Sequence, residues 1–149
     1  MPTPDGQSLE NWLSEFSRQV GVINEGEVII GHSLGATFLL RILERQRSPV
    51  AQSVFVAGVL DTIGIAEYDQ LNSSFIETPY DWGTIKKNAG GVVCLSGEND
   101  PYVPARQGEE LAANLGVKNH TIPHGGHLNT ESGYTSFPDL LLLLKQAAV

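Results

Sequence analysis

The side chains through which this chain could do covalent chemistry are one serine, two aspartates and two histidines. The serine lies in Gly31-His32-Ser33-Leu34-Gly35, a G-x-S-x-G pattern. A short apolar run, Val28-Ile29-Ile30, precedes it, and an apolar helical stretch, Thr37-Phe38-Leu39-Leu40-Arg41-Ile42-Leu43, follows. That strand–turn–helix context is what a nucleophile elbow requires, whereas the pattern without its context is weak. In an elbow the residues two before and two after the serine approach closely, and glycine fits there because it has no Cβ. The helix behind the serine then offers free N–H groups, that of Leu34 first, to a developing oxyanion. The plainer alternative is a Gly-rich turn in which Ser33 merely caps the helix. A serine hydroxyl is a poor nucleophile until a base takes its proton. His124 and His127, in Pro123-His124-Gly125-Gly126-His127, are the candidates for that base. An acid must orient the imidazole; Asp100 and, one strand earlier, Asp61 are the candidates.

The elements that must position these groups are legible in outline. Ser8 can cap a helix with apolar positions Leu9, Trp12, Leu13, Phe16 and Val20 on one face. The runs 53–59 and 91–96 suit strands buried on both faces of a parallel sheet. The spacing predicts a helix over 81–88, another over 105–115, a strand over 117–122, and a last helix opened by Pro138. Residues 60–84 show little periodicity before that first helix, and an excursion of this length in a small domain is often functional. Phe75, Tyr80 and Trp82 within it are candidate lining for an acyl pocket, with core packing as the alternative. Strands alternate with helices, so the expected fold class is α/β with a mainly parallel sheet and flanking helices, in one domain spanning 1–149. In such a sheet ligands bind at the carboxyl ends of the strands. Ser33, Asp61, Asp100 and the two histidines each follow a different predicted strand, in the order Ser…Asp…His expected of an α/β-hydrolase.

Composition excludes several function classes. The formal net charge is −8, and the nine basic residues are scattered apart from Arg41, Arg45 and Arg47 and the pair Lys86-Lys87, so a nucleic-acid or anionic-membrane surface is not expected. No apolar run approaches a membrane span, and Met1-Pro2-Thr3-Pro4-Asp5-Gly6 does not read as a signal peptide. The single cysteine, Cys94, lies in an apolar strand pattern and reads as core. A cytoplasmic location is the expectation.

Gly31-His32-Ser33-Leu34-Gly35-Ala36, Ser96-Gly97-Glu98-Asn99-Asp100-Pro101-Tyr102-Val103-Pro104 and Gly125-Gly126-His127-Leu128-Asn129 together resemble one family. It is the small serine hydrolases of the α/β-hydrolase superfamily, the retinoblastoma-binding serine hydrolase and YdeN-like family. Pro4-Asp5…Trp12-Leu13 and Ser132-Gly133-Tyr134…Phe137-Pro138 agree with it, so the likeness covers most of the chain. The resemblance implies a triad of Ser33, Asp100 and His127. It also implies cleavage of small carboxylic esters or related acyl compounds, with no metal or cofactor. The rival reading is a catalytically silent domain of the same fold that binds a partner or small ligand; acyl transfer to an acceptor other than water is a third.

The sequence departs from this pattern at its front. Only 32 residues precede Ser33, and the earlier strand whose His-Gly loop commonly completes the oxyanion hole is not among them. The strand Val28–Ile30 is therefore expected at a sheet edge. It carries no Lys or Pro to protect it, and pairing of two copies through it, or its cover by residues 1–7, is expected.

Overall fold

Two apolar runs become the central strands of the sheet, and their alternation decides what lies on either side. In β2 (Gln52–Val56) every residue is buried, and β3 (Gly91–Gly97) is buried from Val93 onward. Val54, Val56, Val93 and Leu95 point to one face and Phe55 and Cys94 to the other, the period of two that a pleated strand imposes. Two further strands, β1 (Val28–His32) and β4 (Asn119–Ile122), complete a four-stranded sheet, parallel throughout, in the order β1-β2-β3-β4. The computed structural model describes residues 1–147.

The helices are α1 (Leu9–Gln19), α2 (Leu34–Leu43), α3 (Ala66–Ile76), α4 (Trp82–Asn88), α5 (Ala105–Leu115) and α6 (Pro138–Ala147). A 3-10 turn covers Thr130–Ser132. Ser8 caps α1 by accepting from the Asn11 N–H, and Asp81 caps α4 by accepting from the Thr84 N–H. The larger core lies on the Phe55 side. There Trp12 meets Phe38 and Phe75 edge to face, with ring centroids 5.3 and 4.9 Å apart. On the other face Leu128, Tyr134, Phe137 and the α6 leucines 140, 143 and 144 cover β2 and β3. Among the described residues no helix is long and apolar enough to cross a membrane.

The excursion over 60–84 contains α3, which the sequence pattern does not reveal. Only Asn72 and Phe75 of this helix are buried, too few to draw an apolar stripe. A buried arginine holds the segment that follows. Arg41, 2% exposed, reaches from α2 to donate to the carbonyls of Phe75, Thr78 and Pro79, pairs with both Glu44 oxygens, and stacks 4.0 Å over the Tyr80 ring. Replacing Arg41 by Met keeps the apolar stem but leaves three carbonyls and Glu44 short of a donor. Chemical denaturation should show a loss of about 3 kcal/mol. Cys94 is buried, and desolvation pushes its thiol up to about 12, so it stays a protonated core group.

β1 is an edge strand. Its odd residues face β2, since the Glu27 carbonyl accepts from Gln52 and the Ser33 N–H donates to Val56. The N–H and C=O groups of Val28, Ile30 and His32 therefore face away from the sheet, and the Val28 and Ile30 side chains are half exposed. Met1 borders the apolar groove beside this edge, whereas Thr3, Pro4 and Gln7 turn toward α3. The expected pairing of copies depends on this edge.

Candidate active site

The site grows out of the carboxyl ends of β1 and β3 and the loop after β4. At the end of β1 the backbone turns sharply into α2, and Ser33 sits at φ 55°, ψ −125°. A non-glycine residue rarely occupies positive φ, and strain of this kind collects at functional sites. The turn is tight enough to demand glycine at 31. A Cβ there would lie 2.5 Å from the Gly35 carbonyl and 2.7 Å from the Ala36 Cα. The first N–H groups of α2, Leu34 among them, have no partner within the helix and are available to an anion beside Ser33.

At the end of β3 the chain passes through Gly97 into the loop that carries Asp100. One oxygen of Asp100 accepts from the Tyr102 and Val103 N–H groups at 2.8 and 3.0 Å. The other lies 2.8 Å from Nδ1 of His127. The Asp100 side chain is 2% exposed and that of His127 9%. Burial acts to raise the Asp100 carboxyl. The hydrogen bonds from His127 and from the Val103 and Tyr102 N–H groups outweigh it and hold the carboxyl below the usual carboxylate range.

The loop bearing His127 is fastened on three sides. The His127 N–H donates to Ser132 Oγ, the Gly126 N–H donates to the Asn99 side chain, and His32 Nε2 lies 2.8 Å from the His127 carbonyl. The His32 and Tyr102 rings stand edge-on to the His127 ring, at 4.7 and 5.1 Å. With Nδ1 facing a carboxylate, the imidazole carries its proton there and leaves Nε2 free to accept one. Ser33, Leu34, Gly35, His32 and His127 line one cavity of about 580 Å³. Ser33 Oγ makes no hydrogen bond among the described residues, an arrangement common in ligand-free sites.

The structure therefore brings Ser33, Leu34, Asp100 and His127 to one edge of the sheet. It does not bring the rivals there. Asp61 is exposed and accepts from the N–H of its own neighbour Thr62, and His124 is exposed on the turn at φ 54°. Nor does it bring Phe75, Tyr80 and Trp82 to the cavity. Phe75 is fully buried behind Trp12, and Tyr80 packs on Arg41 with its ring 5.1 Å from that of Trp82. Of the two roles open to these aromatics, pocket lining and core packing, they take the second and fill the core beneath the excursion. The walls are instead Trp12, Val59, Ile63, Tyr68, Leu71 and Tyr102. The supports Asn99 and Ser132 adjoin the predicted loops, but only folding reveals their partners.

Comparison with known proteins agrees with this geometry. A family model described as serine hydrolase matches residues 3–146. YdeN of Bacillus subtilis is 27% identical over 140 residues, which cover 93% of this chain and 72% of that protein. The serine hydrolase RBBP9 of Rattus norvegicus is 26% identical over 145 residues, 97% of this chain and 73% of its own. The crystal structure of the ydeN gene product superimposes with a TM-score of 0.85 at 26% identity, covering 99% of this chain and 78% of that one. A YdeN-like protein of Pectobacterium atrosepticum shares the fold, with a TM-score of 0.68 at 18% identity over 95% of this chain and 69% of its own.

Proposed function

The chain belongs to the serine hydrolase family and is a hydrolase, and from that premise we propose that it cleaves small carboxylic esters through Ser33, His127 and Asp100. The observation that carries this reading is the buried His127–Asp100 contact of 2.8 Å beside an elbow serine in the same cavity. His127 Nε2 takes the Ser33 proton as Oγ attacks the ester carbonyl, and the Leu34 N–H donates to the oxyanion. His127 then returns the proton to the departing alcohol, leaving an acyl group on Ser33. Water, deprotonated by His127, releases the acid and restores the serine. Asp100 holds the imidazole tautomer and stabilises the imidazolium.

Cleavage of p-nitrophenyl esters tests the reading. Turnover should be faster for acetate and butyrate than for long-chain esters, because a cavity of about 580 Å³ also holds the leaving group. Faster cleavage of the long chains contradicts this.

A further inference from the structure

The cavity wall that α3 contributes carries a polar group that the proposed reaction does not use. Asn72 of α3 is 7% exposed and lines the cavity with Gln7, Leu71 and Thr3. Its orientation follows from its neighbours. Gln7 Nε2 donates to the Leu71 carbonyl, an obligate acceptor, at 3.3 Å, and Gln7 Oε1 accepts from the Thr3 hydroxyl at 2.6 Å. The Gln7 amide is thereby fixed, and the Asn72 atom 3.1 Å from Nε2 must also be an acceptor, Oδ1. Asn72 Nδ2 is left without a protein acceptor among the described residues. Unlike Gln52 Nε2, it is not sealed from solvent, and the residue that carries it lines the cavity. A side chain more than nine-tenths buried with a free amide donor toward a binding cavity is a hydrogen-bonding site for what enters it.

We propose that Asn72 is a specificity-determining residue whose Nδ2 donates to a neutral acceptor, a ketone or amide carbonyl, in the acyl part of the substrate. The proposal rests on the ester-hydrolase reading. The acceptor is neutral because Glu67 and Glu131 line the same cavity and no Lys or Arg does, so a carboxylate would meet like charge without a counter-ion. It belongs to the acyl part because the leaving group must face His127, which returns its proton. Tyr102 and Glu131, joined by a 3.1 Å hydrogen bond, stand on that side.

The test compares ethyl acetoacetate, ethyl butyrate and monoethyl succinate by pH-stat, in the wild type and in Asn72→Asp. The variant keeps an acceptor toward Gln7 and removes the donor. The acetoacetate-to-butyrate ratio of kcat/KM should fall about 10-fold in Asn72→Asp, and monoethyl succinate should be the slowest substrate of the wild type. An unchanged ratio, with both esters slowed equally or not at all, assigns Asn72 to holding residues 1–7 and overturns the proposal. A wild type that prefers monoethyl succinate overturns the neutral acceptor. A binding arm separates this from the reaction itself. In Ser33→Ala, titration of ethyl acetoacetate against the fluorescence of Trp12, which lines the cavity, should give about 10-fold tighter binding than in Ser33→Ala/Asn72→Asp. Absence of Ser33-dependent turnover would sink the hydrolase mechanism while this arm still decides the role of Asn72.

Discussion

Asp100→Asn should lower kcat for p-nitrophenyl acetate by roughly 10⁴-fold with the circular dichroism spectrum unchanged. The size of the effect follows from which atoms meet Asp100. Its first oxygen accepts from the Tyr102 and Val103 N–H groups, and these donors require an acceptor at that place. An asparagine must put its carbonyl oxygen there, which turns its NH₂ toward His127 Nδ1, now 2.8 Å from a carboxylate oxygen. Nδ1 then has to accept, the ring proton moves to Nε2, and the nitrogen that should receive the Ser33 proton already carries one. Asp61→Asn should change kcat by no more than a few fold, because Asp61 is exposed and engages the N–H of Thr62. The reverse ranking would reassign the acid.

Gly97→Ala should be the most damaging substitution for stability in the site region, with a loss of about 3 kcal/mol or more in urea denaturation and a parallel loss of turnover. A Cβ at 97 would overlap the Gly126 carbonyl oxygen and lie 2.9 Å from its carbon. Both partners are backbone, so no side chain can swing away. Asp100 hangs from the segment that leaves Gly97, and His127 directly follows Gly126. Separating the two strips therefore pulls the carboxylate from the imidazole as well as straining the fold. Gly26→Ala, where a Cβ meets nothing within 4 Å, should be nearly silent and serves as the control. A Gly97→Ala protein as stable as Gly26→Ala would mean that the two loops do not approach as described.

The parts of the site legible in the sequence are those whose chemistry demands an unusual local pattern. Ser33 is visible because the elbow needs Gly31 and Gly35 beside it, and Asp100 and His127 are visible because each follows a predicted strand. The strands themselves are legible to within a few residues. Val59 falls outside β2 because the backbone turns at Ala57, φ 48°, and Val117 falls outside β4. What escapes is whatever depends on distant partners. α3 is hidden because its buried face consists of Asn72 and Phe75. Arg41 reads as one of a short basic group with Arg45 and Arg47 until the fold wraps three carbonyls around it. Tyr80 and Trp82 carry the same composition signal whether they line a pocket or pack on the core, and only the fold puts Tyr80 on that arginine and Trp82 beside Tyr80.

The central claim is that Ser33 is a nucleophile activated by His127. Reaction of the 149-residue chain with a fluorophosphonate probe, followed by intact-mass and peptide mass spectrometry, tests it most directly. The account predicts one phosphonyl adduct per chain, located on Ser33, absent from Ser33→Ala and strongly slowed in His127→Ala. A folded wild-type protein that takes no adduct, or takes it at another residue, would contradict it.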